Sequence, residues 1–289
     1  MTSGVLRLVC GLVFIALWAT AGETQGPPAQ SQTWTGVISE SKCGGSHEAI
    51  AAPAAMTDRE CAFHCLKGLS RFVVVDDQKN VIPIANQDFA GLPLRLARPV
   101  RVTGTLTDNG IVVSRLELPV VHSHIGHVMT AWRDTPGTVG LLTVALSDTR
   151  VAAAHALLTS KSASLDDLKL HAGHVVHALD PTVEPKGPAS GYGAKKAVAG
   201  ALQHVGFAAA AEGATSGVKS QAAVVTATLN EANGAIDRAV AAAQNIRSAA
   251  SPAEGAALAR DLPALIGEVS AGLEKAHEQM RAMMKAEGL

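Results

Sequence analysis

Two tracts of the chain carry the same pair of imidazoles. His124-Ile-Gly-His127-Val128 recurs as His171-Ala-Gly-His174-Val175, 47 residues on. Each copy runs to an Ala and a large apolar residue, Ala131-Trp132 and Ala178-Leu179, with an Asp-containing turn just beyond. Histidines three apart lie on one face of a helix, so both rings can reach one ligand. A Gly between them costs about 1 kcal/mol of helix propensity, and its use in both copies predicts that another backbone comes close there. Neutral imidazole ligates zinc, copper, iron and nickel, and it also ligates haem iron. The paired rings therefore point to a transition metal (copper, zinc, iron or nickel) or, as the alternative, to haem b.

The repeat extends past the pairs. His155 follows His124 by 31 residues, and His204 follows His171 by 33. Each half reads as a two-helix unit supplying a pair plus one histidine from its next helix. Two such units about a pseudo-twofold axis would gather His124, His127, His155, His171, His174 and His204. Six nitrogens exceed one tetrahedral zinc site. They suit two metal ions, or a haem with two axial histidines and the rest behind them. His177 joins the set of metal candidates. On the segment 165–179 the stripe Leu165, Leu168, Ala172, Val175 and Leu179 faces the core, while His171, His174 and His177 lie on its flank and back. Residues 170–179 include no Lys, Arg, Asp or Glu, so that back is expected to be enclosed. Enclosed imidazoles need hydrogen bonds or a metal.

A second group of donors lies earlier. Of four cysteines, Cys43, Cys61 and Cys65 follow the N-terminal apolar segment, with His47 and His64 nearby. Cys61, His64 and Cys65 share one helical face at i, i+3 and i+4. An odd count implies either one disulfide bond with a spare thiol or a thiolate metal site. The latter, from Cys43, Cys61, Cys65 and His47 or His64, suits Cu(I) or Zn(II). Cys61-Ala-Phe-His-Cys65 differs from the Cys-x-x-Cys-His pattern of covalent haem, which occurs nowhere in the chain. His277, Met280 and Met284 share a face of the last helix, as core residues or as soft donors. His122 has no assigned role.

Several classes of chemistry are disfavoured. No acid lies three residues before His124, His127, His155, His171, His174, His177 or His204, so these histidines lack the Glu-x-x-His pattern of a carboxylate-bridged di-iron bundle. There is no nucleophile elbow, no Ser/His/Asp order and no His-Glu-x-x-His motif. The glycine-rich stretch at 187–193 lacks the Gly-Lys-Ser/Thr ending of a P-loop. Residues 22–120 carry nine Lys/Arg against ten Asp/Glu, and residues 121–289 carry fourteen against fifteen. Neither half has the basic excess that phosphate backbones attract, so no nucleic-acid partner is expected.

The elements that must hold these residues are legible from periodicity. Residues 34–39, 72–75, 81–84, 100–106 and 111–118 are short, β-branched and partly alternating. Asp108-Asn-Gly110 is a tight-turn signal between the last two. Thr57-Asp-Arg-Glu60 is a capping box that starts a single inserted helix. Beyond Pro119 the period becomes helical, with helices expected at 122–133, 139–160, 165–179, 193–212, 216–249 and 252–286. Pro263 is expected to kink the last or to restart it behind Asp261. Aromatics are scarce there, only Trp132, Tyr192 and Phe207, so Ala, Leu and Val must form a core of closely spaced helices. The two long C-terminal helices read as an antiparallel hairpin packed on the histidine helices. The expected fold class is α+β in two domains: a small OB-like β-barrel with one inserted helix, then an all-α helical bundle.

The start of the chain predicts export. Arg7, an apolar run ending Phe14-Ile-Ala-Leu-Trp18, and Ala19-Thr-Ala21 form a signal peptide at 1–21. The run is shorter than the roughly 20 residues of a membrane-spanning helix. Cys10 follows Val9 and lies too early to be a lipidated cysteine. Residues 22–32 read as a disordered linker, 33–119 as the barrel domain with its cysteine cluster, and 120–289 as the histidine-containing bundle. No later segment reads as apolar enough to cross a bilayer, so a periplasmic or secreted protein is expected.

Two resemblances add to this. Residues 34–118 carry Trp34-Thr-Gly-Val-Ile-Ser, Cys43-Gly, Met56-Thr-Asp-Arg-Glu-Cys61, Cys65 and Val102-Thr-Gly-Thr-Leu. In these the segment resembles an uncharacterised small exported OB-like bacterial domain, which implies export and a barrel. The tracts His124-Ile-Gly-His-Val, Asp134-Thr-Pro-Gly, Gly140-Leu-Leu, His171-Ala-Gly-His-Val-Val-His-Ala-Leu-Asp-Pro181 and Gly191-Tyr-Gly-Ala-Lys-Lys196 resemble an uncharacterised histidine-containing helical family of exported bacterial proteins. That likeness covers 121–210 well and the remainder loosely, and it supports the boundary near Pro119. Three functions follow from the sequence: a non-catalytic carrier or sequestering protein for a transition metal, a b-type haem electron-transfer protein, or a structural protein without cofactor. The sequence names no protein partner.

Overall fold

The computed structural model describes Met1 and residues 30–46 and 56–289. The signal peptide, most of the linker, Cys10 and His47 lie outside the described residues. Ser31–Leu289 forms one unit of the α+β class, with one apolar cluster in its sheet and another among its helices.

The sheet has five antiparallel strands. They are β1 (Ser31–Glu40), β2 (Phe72–Asp76), β3 (Val81–Pro83), β4 (Pro99–Thr107) and β5 (Gly110–Glu117), in the order β3-β2-β1-β4-β5. β1 is central, pairing Val37 with Val75 on one side and Trp34 with Val102 on the other. Alternation sends Val100 and Val102 inward beside Ile38, Val74, Ile111 and Val113, as a half-buried sheet requires. α1 (Asp58–Leu66) covers this core with Ala62, and its N-terminus is held by the expected Thr57/Glu60 capping box. A second helix, the four-residue α2 (Leu92–Arg95), was not expected, and it adds Leu92 to the core.

The expected closure of the barrel is not made by a continuous ladder. The edges meet instead at an isolated parallel bridge, Ile84 to Ile111, where the Ala85 N–H donates to the Ile111 carbonyl at 2.8 Å, and through the Asn86 side chain on the backbone of Val113. The cause is local: β3 has three residues and ends at Pro83, which has no N–H for a further rung.

From Pro119 the chain is mostly helical: α3 (Val120–Met129), α4 (Leu141–Lys161), α5 (Leu165–Leu179), α6 (Ala194–Ala210), α7 (Ser216–Ser248), α8 (Pro252–Ala259) and α9 (Leu262–Ala286). The expected last helix is divided at Asp261, with Pro263 in the first turn of the restarted segment. Ser164 caps α5 by accepting from the Asp167 N–H. Val225, Leu229, Ala232, Ile236, Ala239, Ala243 and Ile246 of α7 are all buried, as are Leu262, Ile266, Val269, Leu273, Ala276, Met280 and Met283 of α9. Met280 is thus a core residue. Each fully buried Leu or Ile contributes about 1.5–3 kcal/mol. The Arg238–Glu268 ion pair at 2.8 Å, and Gly272 against Ala232, set α7 and α9 antiparallel. α5 and α6 pack on α7, and α4 packs on α9.

One expectation about membranes is corrected. α4 is long and apolar enough, by length and composition, to cross a bilayer. In the bundle it packs against α5, α6 and α9, with the polar Asp148 and Thr149 buried. Asp148 accepts from the Ser190 N–H at 3.1 Å, the Ser190 hydroxyl at 2.6 Å and the Gly193 N–H at 3.0 Å. These bonds pin the loop before α6 to α4, and so set where α6 begins.

Candidate metal centres

The helical period places His124 and His127 on one face of α3, and His171 and His174 on one face of α5, as expected. The third histidine of each group comes from an unexpected helix. His204 of α6 joins the α3 pair, and His155 of α4 joins the α5 pair. The six histidines thus form two triads, His124/His127/His204 and His155/His171/His174, and in each the offered nitrogens lie within 4.8 Å of one another. The expected units paired His155 with α3 and His204 with α5. The observed pairing is crossed because α3 packs on α6 and α4 on α5.

The two triads have the same internal geometry. Ring centroids of His124 and His127 are 5.7 Å apart at 78°, and those of His171 and His174 are 5.9 Å apart at 67°. The His124–His204 rings are 5.2 Å apart at 32°, matched by His155–His171 at 5.3 Å and 31°. His127–His204 at 4.7 Å and 69° matches His155–His174 at 4.6 Å and 76°. His124 corresponds to His171, His127 to His174, and His204 to His155. The two triads are thus equivalent in their internal geometry.

The nitrogens converge. Nδ1 of His124 stands 3.0 Å from Nδ1 of His204, and Nδ1 of His155 stands 3.2 Å from that of His171 and 3.3 Å from that of His174. Two facing ring nitrogens can share one proton, but three cannot all be satisfied by one another. Nδ1 of His127 is buried without any hydrogen-bond partner. Ligands bound at about 2.0–2.1 Å to a tetrahedral ion stand roughly 3.3–3.4 Å apart, close to the observed separations. The structure therefore contains histidine triads that could hold metal ions.

The electrostatics favour the neutral, ligating form. Burial pushes His204 down to about 4, with His127 and His124 adding to the effect. Burial also lowers His124. It lowers His127, aided by His124, and His155, aided by His174 and His171. His174 is lowered by burial and by His171 and His177, against an opposing pull from Glu184.

The surroundings of the triads differ. Trp132 has its ring centroid 4.5 Å from both His127 and His204, and Phe207 lies 5.2 Å from His124. Trp132 was noted as the apolar end of the first repeat copy, but neither aromatic was placed beside the imidazoles in the sequence, although Phe207 follows His204 by three residues. The α5 triad has instead an Arg247–Glu184 ion pair nearby, with Arg247 packed against Gly173. His177 belongs to neither triad; its buried ring pairs through Nδ1 with the Glu184 carbonyl at 2.8 Å. His122 is buried with Nε2 on Glu287 at 3.1 Å, tying α3 to the end of α9. His277 is partly exposed beside Glu274 and Glu278.

The glycines of the two motifs do not serve close packing. A Cβ at Gly126 would meet nothing within 4 Å, and one at Gly173 would meet only the Arg247 side chain, at 3.5 Å. The close backbone approach is at Gly140 instead, where a Cβ would collide with the backbone of Met129 and Thr130. That contact seats the start of α4 on the end of α3.

Cys43, Cys61 and Cys65 form the third group, their sulfurs within 4.8 Å. No disulfide joins them, so the expected bridge is not formed: the Sγ atoms of Cys43 and Cys65 are 3.9 Å apart. His64 faces outward from α1 and is exposed, because i+3 from Cys61 falls at the edge of the buried face. Burial raises Cys43, helped by Glu40 and Cys65, and burial raises Cys65. Glu40, itself fully buried, was missed in the sequence. Burial works against its charge, but hydrogen bonds from Cys43, from the Lys42 and Cys43 N–H groups and from Ser70 hold its carboxyl below the usual range.

No family model, curated protein or solved structure matches the chain.

Proposed function

We propose that the chain is an exported, non-catalytic protein that sequesters or delivers a transition-metal ion, each histidine triad holding one ion. The observation that carries this reading is the same three-nitrogen convergence built twice, once from α3 and α6 and once from α5 and α4. Imidazole donors suit copper, zinc, iron and nickel. Three ligands leave one position of a tetrahedral ion open, where a donor from a partner can enter. A b-type haem is less well supported, since axial histidines approach from opposite faces of a macrocycle, whereas these nitrogens converge on one point.

Export rests on the charged start, short apolar run and small-residue cleavage signal of the first 21 residues. The Ile84–Ile111 bridge supports an OB-like barrel at 33–119, and the two apolar clusters support a separate bundle at 120–289. The first test is stoichiometry. Native mass spectrometry of the purified chain after loading with Cu(II) or Zn(II) and desalting should show two histidine-bound ions. His124→Ala/His127→Ala should lose one and His171→Ala/His174→Ala the other, with circular dichroism unchanged. Two ions retained in the variant lacking all four histidines would defeat the proposal.

A further inference from the structure

We infer that Cys43, Cys61 and Cys65 form a second kind of metal centre, a three-thiolate site for monovalent copper. This rests on the sulfur cluster and its loop, independently of the histidine triads. α1 projects Cys61 and Cys65 from successive turns, and both are buried, at 4% and 8% exposure. The third sulfur arrives on the loop after β1, which is tightly built. The buried Glu40 carboxylate accepts from the Lys42 N–H at 2.6 Å and the Cys43 N–H at 2.9 Å. The Gly44 N–H donates to the Glu40 carbonyl, and Ser39 Oγ donates to the Gly44 carbonyl at 2.6 Å. Gly44 has φ of +58°, which favours glycine at the turn. The loop thus fixes Cys43 against the helix.

Geometry selects the ion. Three sulfurs about 2.3 Å from a central ion, in one plane with it, stand roughly 4 Å apart; Cys43 and Cys65 are at 3.9 Å. Zinc in a structural site takes four ligands. Among the described residues none stands as a fourth: His64 is exposed, and both Glu40 oxygens are engaged by the loop. Thiolate softness together with three-coordination favours Cu(I). Binding replaces three S–H bonds by three Cu–S bonds and releases three protons to solvent, with no change of oxidation state.

The test uses the reduced full chain under anaerobic conditions with Cu(I) supplied as its acetonitrile complex. X-ray absorption should report sulfur neighbours at about 2.3 Å, distinct from nitrogen at about 2.0–2.1 Å. All three thiols, mapped by peptide mass spectrometry, should escape alkylation once copper is added. Cys61→Ser and, in the loop, Cys43→Ser should each lower the sulfur count from three to two and weaken copper retention, and Cys43→Ser/Cys61→Ser should remove the sulfur-bound copper, while circular dichroism and nitrogen-bound metal stay unchanged. Copper bound by nitrogen alone overturns the thiolate site and leaves the histidine reading standing; sulfur-bound copper with no metal at the triads does the reverse. Equal alkylation with and without Cu(I), preference of the thiols for equimolar Zn(II), or a Cys43–Cys65 disulfide with Cys61 free in unreduced protein also overturns it.

Discussion

Burial in the bundle favours the neutral form of His124, His127, His155, His174 and His204, and this couples protons to both stability and metal binding. In the unfolded chain each histidine titrates near 6.5; in the fold His204 titrates near 4, and His124, His127, His155 and His174 are also lowered. Below 6.5 the unfolded chain therefore binds more protons than the folded one, so protonation favours unfolding. The stability these groups contribute is present above pH 6.5 and is lost as pH falls toward 4. For His204 the loss is at most about 3 kcal/mol, from 1.36 kcal/mol per pKa unit. Metal-free protein should melt at a clearly lower temperature at pH 4.5 than at pH 7 by circular dichroism, and His204→Leu should flatten that difference. An unchanged Tm in the parent chain would mean that these rings already face water.

At the scale of the element, each motif lies on a helix whose period aligns the pair, and its glycine is a cost that packing does not require. Because a Cβ at Gly126 has open space around it, Gly126→Ala should stabilise α3 by about 0.5–1 kcal/mol through helix propensity. Urea denaturation of the metal-free chain measures this directly. A destabilisation would restore the close approach that the sequence suggested. Much of the element level was legible in the sequence: the α5 boundaries at 165–179, the Thr57 and Ser164 caps, and the buried stripes of α7 and α9 all follow from local spacing. Strand β3 was read as well, at 81–84, but α2 was not, since a single turn of four residues carries too little periodicity to declare itself.

For the whole molecule, the crossed pairing makes each triad a tie between repeat units. One ion would join α3 to α6 and the other α4 to α5. An ion that binds only the folded chain stabilises it by about 2.7 kcal/mol at a free concentration 100 times its Kd. Addition of Zn(II) should therefore raise Tm with the logarithm of its excess. His124→Ala/His127→Ala and His171→Ala/His174→Ala should each keep part of the rise, and their combination should abolish it. A full rise in the combined variant would place the stabilising ion elsewhere.

The repeated His-x-Gly-His pairs, the single face that each occupies and the helices that carry them were determined by sequence alone, because a period of 3.6 residues acts within a few neighbours. Which third histidine completes each set was decided only in the tertiary structure. The separations of 31 and 33 residues accommodate either pairing equally well, and the choice belongs to how α3 seats on α6 and α4 on α5. The same holds for the sulfur cluster. Spacing put Cys61 and Cys65 on one face, but the β1 loop and its buried Glu40 brought Cys43 to them and left His64 in solvent.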